Sequence, residues 1–259
     1  ELKSGRRSGL FSLARKLVSA APVNLSLISK GERGHRLASG VWGAPVKMTP
    51  PPLDAAMSAA DAFCAIAHGC LRQMMLNAPA FENGQAVEAV HQTRVAIRRL
   101  RAAMTLFRPL IADRTCPALA SELKWLSGQL GATRDIDVLL SETVQPAMAR
   151  EPEAPGLAEL AAFIAARQDA SRRDLRAAME SPRARKLMLN LLIWVEDGPW
   201  RRRPLAAGAE AESLRGLLSR RLRSSRKKLA ALGANLTELP EAELHEVRIR
   251  AKKLRYQAS

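Results

Sequence analysis

From Asp54 to the end of the chain, apolar residues recur every three or four positions. That spacing predicts helices over residues 54–77, 86–109, 117–131, 134–149, 156–180, 183–197, 210–232 and 241–258. No run there carries a convincing two-residue alternation, so the fold class expected is all-α. Two starts have a local cause: Ser181 precedes Pro182 as an N-cap with proline at the first helical position, and Pro240 offers the same proline start. Breaks are expected at Asn83-Gly84, Pro109, Gly131, residues 152–156, Gly198-Pro199 and Gly233. Residues 1–37 differ: 1–5 read as the end of a strand, 10–20 as a short helix, and 23–29 alternate. A short α+β segment is expected there. Between it and the helices, residues 38–53 hold Gly40, Gly43, Pro45 and the run Pro50-Pro51-Pro52, which continue neither a helix nor a central strand. This stretch is read as a linker between domains.

Among the expected helices, a single pattern returns. Val90-His91-Gln92-Thr93-Arg94-Val95-Ala96-Ile97-Arg98-Arg99-Leu100-Arg101 is matched by Leu244-His245-Glu246-Val247-Arg248-Ile249-Arg250-Ala251-Lys252-Lys253-Leu254-Arg255. Both copies set bases 3, 7, 8 and 10 residues after the histidine and apolar residues at offsets −1, 4 and 9. At about 100° per residue, offsets 0, 3, 7 and 10 fall within an arc of roughly 80°. Each helix thus carries one histidine and three bases in one stripe: His91, Arg94, Arg98 and Arg101, then His245, Arg248, Lys252 and Arg255. A cationic stripe with no acid in it repels itself, so it is kept either by solvation or by an anion lying along it. A charge run is ordinarily a solvated face; recurrence with the same histidine and apolar flanks favours the anion.

Charge strengthens this picture. Forty-one Lys and Arg against 25 Asp and Glu give a formal net charge of +16, with a pI near 10.9, so the first partner to consider is a polyanion. Aromatic residues make up only 4%, which disfavours recognition of single-stranded nucleic acid by base stacking and leaves phosphate contacts untouched. Residues 201–228 hold ten bases against Glu210 and Glu212, half of the whole excess. Within them Arg220, Arg223 and Lys227 repeat the 0, 3, 7 spacing, so this helix either adds a basic stripe or simply presents a solvated face. Cys64, Cys70 and Cys116 show no CxxC or Cys/His ligand spacing, so no disulfide framework, metal site or cofactor is expected, and a reducing cytoplasm is the simplest location. No apolar run is long enough to cross a bilayer, although a basic amphipathic helix can lie on anionic lipid.

Two further bases stand out. Lys124 adjoins Trp125, which is expected in the core, and Arg134-Asp135-Ile136-Asp137 follows Gly131. If a helix starts after Gly131, the aspartates cap it and Arg134 beside its N-terminus offers a phosphate site.

His91 through Arg101, Leu123-Lys124-Trp125-Leu126, Gly131, Arg134 through Val138 and the second His245 motif together resemble a CHAD (conserved histidine α-helical) domain over residues 54–259. The resemblance implies two pseudo-symmetric helical bundles around a basic cavity that binds inorganic polyphosphate. It assigns the ligand to the two stripes, with Lys124 and Arg134 in support. Only 14 residues follow His245, so the second bundle is expected to be incomplete. Residues 1–37, through Glu1-Leu2-Lys3-Ser4-Gly5 and Ser29-Lys30-Gly31-Glu32-Arg33-Gly34, are similar to the closing part of a CYTH, or triphosphate tunnel, domain. The glutamates and lysine that open such a tunnel are missing from them.

Three functions follow as expectations. The first is non-catalytic binding of inorganic polyphosphate, in the cytoplasm and in association with polyphosphate granules. Arginines would fork onto phosphate oxygens, and the histidines would bind better when protonated unless clustered arginine lowers their pKa. The second is a role in an inorganic triphosphatase whose tunnel lies upstream; this chain lacks its carboxylates and is expected to be no enzyme by itself, with no catalytic residue. The third is binding of nucleic acid through phosphates alone.

Overall fold

Serine hydroxyls open three of the helices. Ser29 Oγ accepts from the Glu32 N–H at 3.0 Å, Ser58 Oγ from Asp61 at 3.1 Å and Ser181 Oγ from Ala184 at 3.1 Å, each satisfying a donor the first turn leaves free. The computed structural model describes residues 4–54, 56–81, 86–202 and 214–258. In chain order the helices are α1 (Arg7–Ala20), α2 (Lys30–Ala38), α3 (Ala59–Asn77), α4 (Ala86–Leu106), α5 (Arg108–Ile111) and α6 (Cys116–Val138). They continue as α7 (Gln145–Arg150), α8 (Leu157–Glu180), α9 (Pro182–Asp197), α10 (Leu214–Leu232) and α11 (Glu241–Ala258). Residues 1–3 of the strand end expected at 1–5, the Asn83-Gly84 break and the first residues of the 210–232 helix lie outside the described residues.

Burial follows the periodicity. Helices α3, α4, α6 and α9 bring Phe63, Leu71, Ile97, Leu100, Leu123, Leu130 and Trp194 together, all at most 2% exposed. The Phe63 ring is the hub, with ring centroids of Phe107, Trp194 and Trp200 at 5.6, 5.7 and 5.6 Å. Buried Asp113 fastens two regions of this core. Its Oδ1 accepts from the N–H groups of Thr115 and Cys116 at the start of α6, and its Oδ2 from the Trp194 indole at 3.0 Å. All three cysteines are free thiols; Cys70 is fully buried in the apolar core, which pushes its pKa up to about 12, and Cys64 accepts from Arg201 Nη1 at 2.7 Å. The hairpin α10–α11 packs on α3–α4, with α10 on α3 and α11, which carries the second copy of the motif, on α4, which carries the first.

The structure corrects two expectations. The helix predicted to end at Gly131 does not: α6 runs through it to Val138 and continues by a π-helical turn, Leu139–Val144, into α7. Arg134 and Asp135 are therefore mid-helix, Asp137 caps nothing, and the phosphate site at a helix N-terminus is absent. The cause is Gly131 itself, which here makes room for a neighbouring side chain in place of ending the helix. Second, the described residues of 1–37 contain no strand. The alternating stretch 23–29 has no strand to pair with; it lies as irregular chain, with Leu27 packed on the main core and its carbonyl accepting from Arg72 at 3.2 Å. Helix α1 meanwhile sets Val18 against Leu189 and Ile193 of α9. Farther on, Val46 exchanges backbone hydrogen bonds with the Asn77 amide at 2.9 and 2.8 Å.

Candidate functional site

Helix α4 buries the face that carries Ala89, Ala96 and Leu100 and turns the His91 stripe away from it. The stripe is not left to solvent, because α6 and α11 pack along its two sides. His91, Arg94 and Arg98 are consequently half-buried, and Arg101, one turn farther on, is exposed. Next to the histidine, Gln92 points inward: it donates to Glu88 at 2.7 Å and accepts from Gln73 of α3 at 3.0 Å, which fixes the rotation of α4.

Half-burial of three cationic groups leaves a mark on their chemistry. The His91 pKa is lowered, first by burial and then by Arg134, Arg98 and Arg94, against the opposing pull of Glu88. Arg94 is depressed by burial, supported by Asp135 and opposed by Arg98 and Arg134. Nη1 of Arg94 and Nε of Arg98 are buried and make no hydrogen bond, an unusual condition for charged donors. Arg134, half-buried on α6, joins this group and makes a long contact of 3.9 Å with Glu142 in the π-helical turn.

Tyr256 links the two copies of the motif. Its ring centroid lies 5.2 Å from the Arg98 guanidinium and 5.2 Å from that of Arg255. Eleven residues after His245, it lies roughly 20° from that histidine around the helix axis. Arg255 of the second stripe and Arg98 of the first thus meet at one ring, where α11 packs on α4. In the second copy His245, Arg248, Lys252 and Arg255 are all exposed. Glu246 there pairs with Arg250 at 3.0 Å instead of reaching a core partner. Sequence reasoning passed over Tyr256, although it is the chain's only tyrosine and adjoins Arg255.

The remaining predicted residues fall elsewhere. Lys124 is exposed on α6, about 15 Å along the helix from Arg134. Arg223 and Lys227 are exposed, and with Arg220 they lie roughly opposite the α10 face that buries Leu214 and Leu217. Arg221 of the same helix reaches α4, donating to the Thr105 carbonyl at 2.9 Å. Asp137, with a side chain 1% exposed, serves structure: it accepts from Gln168 at 2.7 Å and Arg172 at 3.1 Å, tying α6 to α8. Among the described residues there is no cluster of His, Cys, Asp and Glu able to hold a metal and no helix long and apolar enough to cross a membrane.

This arrangement has relatives. Residues 65–259 match the family model of the CHAD domain. The crystal structure of the CHAD domain from the plant Ricinus communis superposes with a TM-score of 0.69 at 33% identity, covering 83% of this chain and 69% of that one. No curated protein is similar in sequence. With three quarters of its length inside the family match and the repeated histidine helices packed side by side, the chain belongs to the CHAD domain family.

Proposed function

We propose that this chain binds inorganic polyphosphate, without catalysis, along the side shared by α4 and α11. Arg94, Arg98, Arg101 and Arg134 supply one wall, His91 its titratable donor, and His245, Arg248, Lys252 and Arg255 the other. Lys124 and the α10 bases Arg220, Arg223 and Lys227 attract the same ligand at longer range. The observation that carries the reading is the pair of buried arginine nitrogens, Arg94 Nη1 and Arg98 Nε, with no hydrogen-bond partner. Charge-assisted bonds to phosphate oxygens would satisfy both donors and offset the repulsion among the bases. Within the same proposal, residues 1–37 close a CYTH-like domain, 38–53 connect it to the helical domain, and the protein acts in the cytoplasm.

Titration with long-chain polyphosphate, in competition with duplex DNA, tests the proposal. Polyphosphate should win, its affinity should fall steeply with salt, and orthophosphate should bind far more weakly, since one group cannot engage successive turns. Arg98→Ala and Lys252→Ala should each lose about 1–3 kcal/mol of binding, whereas Arg202→Ala, whose side chain pairs with Asp197 at 2.6 Å, should change it little. Equal losses in all three would reduce the effect to bulk charge. With magnesium or manganese present, release of phosphate from triphosphate should stay at the buffer rate.

A further inference from the structure

On the far side of α4 from the basic stripe, the chain forms a cavity. It is a cleft of about 450 Å³, enclosed between residues 24–43 and the ends of α3, α8 and α9, and this volume is in the range of small-molecule sites, about 300–1,000 Å³. Four methionines line it: Met74 and Met75 from α3, Met179 from α8 and Met188 from α9. Leu27, Trp42 and Phe81 complete an apolar, adaptable lining suited to an alkyl or aromatic body.

The same cleft is strongly cationic. Arg33, Arg36, Arg72, Arg176 and Arg185 reach it, against Glu180 and the nearby Glu32, which bridges Arg36 and Arg72. Five guanidinium groups against two carboxylates leave an excess of three positive charges at an apolar pocket. Two polar atoms at this cleft have no partner. Arg185 gives Nη1 to the Glu180 carbonyl, while its Nε is buried and unbonded. Thr93, fully buried, contributes a hydroxyl with no hydrogen-bond partner. Thr93 lies roughly 200° around α4 from His91, so this cleft and the polyphosphate face lie on opposite sides of one helix.

We infer that this cleft is a binding site for a single-chain anionic amphiphile of the fatty-acid type, its apolar chain among the methionines and its carboxylate on the arginines. The head would take the free Arg185 donor, since a planar fork matches a carboxylate. The inference does not depend on polyphosphate binding.

Calorimetric titration of the whole chain with dodecanoate, below its micelle concentration, tests this. Saturable one-to-one binding is expected, with dodecanol at least about tenfold weaker because it lacks the charge. Arg185→Gln should weaken dodecanoate by about tenfold, and Arg150→Ala, on the exposed end of α7, should leave it unchanged. Met75→Trp, which fills the cleft from a half-buried position, should abolish binding while the circular dichroism spectrum stays that of the parent. Four results would overturn the inference: no saturable heat with dodecanoate, equal binding of dodecanol, displacement by equimolar pyrophosphate, or undiminished affinity in a folded Met75→Trp protein.

Discussion

A methyl group built on Gly131 of α6 would stand 2.9 Å from Nη1 of Arg94 on α4. The glycine is therefore the floor on which the arginine rests, and its identity serves the basic site more than the helix. Gly131→Ala should push the end of this flexible side chain aside at small cost, and alanine favours a helix interior by about 0.5–1 kcal/mol. The expected outcome is an unchanged or slightly raised melting temperature with a several-fold loss of polyphosphate affinity. Unaltered affinity would mean that the position of Arg94 is immaterial to the ligand.

Burial, with Arg134, Arg98 and Arg94 behind it and Glu88 opposing, holds the His91 pKa below its ordinary value. In the unfolded chain the imidazole titrates near about 6.5, so below that pH the unfolded state binds the proton more readily. Stability from this group is present above about pH 6.5 and is lost as pH falls toward the lowered folded value. A phosphate chain reverses the local field and raises that pKa again, so binding should take up protons. Affinity should increase from about pH 7.5 to about 5.5, and His91→Gln should reduce the slope of log affinity against pH. An identical slope in the variant would remove His91 from the site.

Helix positions were legible because they depend on periodicity and caps, both local: Ser181-Pro182 starts α9 as its sequence predicts. The pairing of the motifs was legible too, since a repeated stripe needs its partner nearby. Gly131 was misread because a glycine that ends a helix and one that admits a side chain look alike until the neighbour is known. Helix α2 went unread although Ser29 and Glu32 have the spacing of a capping pair. The α10 stripe repeats the spacing of the site, but where a helix face points is set by packing, which spacing does not encode.

Asp137 lies against Arg172 and Gln168 with almost no solvent contact. Asp137→Ala would leave Arg172, itself about a third exposed, without its carboxylate in a packed interface. Stability should drop by about 2–3 kcal/mol, less than for a fully buried pair because water still reaches the guanidinium. Denaturant unfolding checks the value. Polyphosphate affinity, measured below the transition, should be unchanged, which would separate Asp137 from the neighbouring Arg134.

Tyr256 holds two like charges near each other: Arg98 and Arg255 both stack on its ring at 5.2 Å. Two guanidinium groups so placed repel, and the ring's negative faces offset part of that repulsion by about 0.5–2 kcal/mol per contact. Tyr256→Phe keeps the ring and should leave both stability and polyphosphate binding near those of the parent. Tyr256→Ala removes it, so α11 should separate from α4, with faster amide exchange in α11 and weaker binding of long chains. Short phosphates, which engage one stripe at a time, should be less affected. A double-mutant cycle with Arg98→Ala isolates the contact, since Tyr256→Ala should cost clearly less once Arg98 is gone. Strict additivity would mean that the ring merely neighbours the arginines, and the coupling of the two stripes would have to come from the apolar contacts of α11 alone.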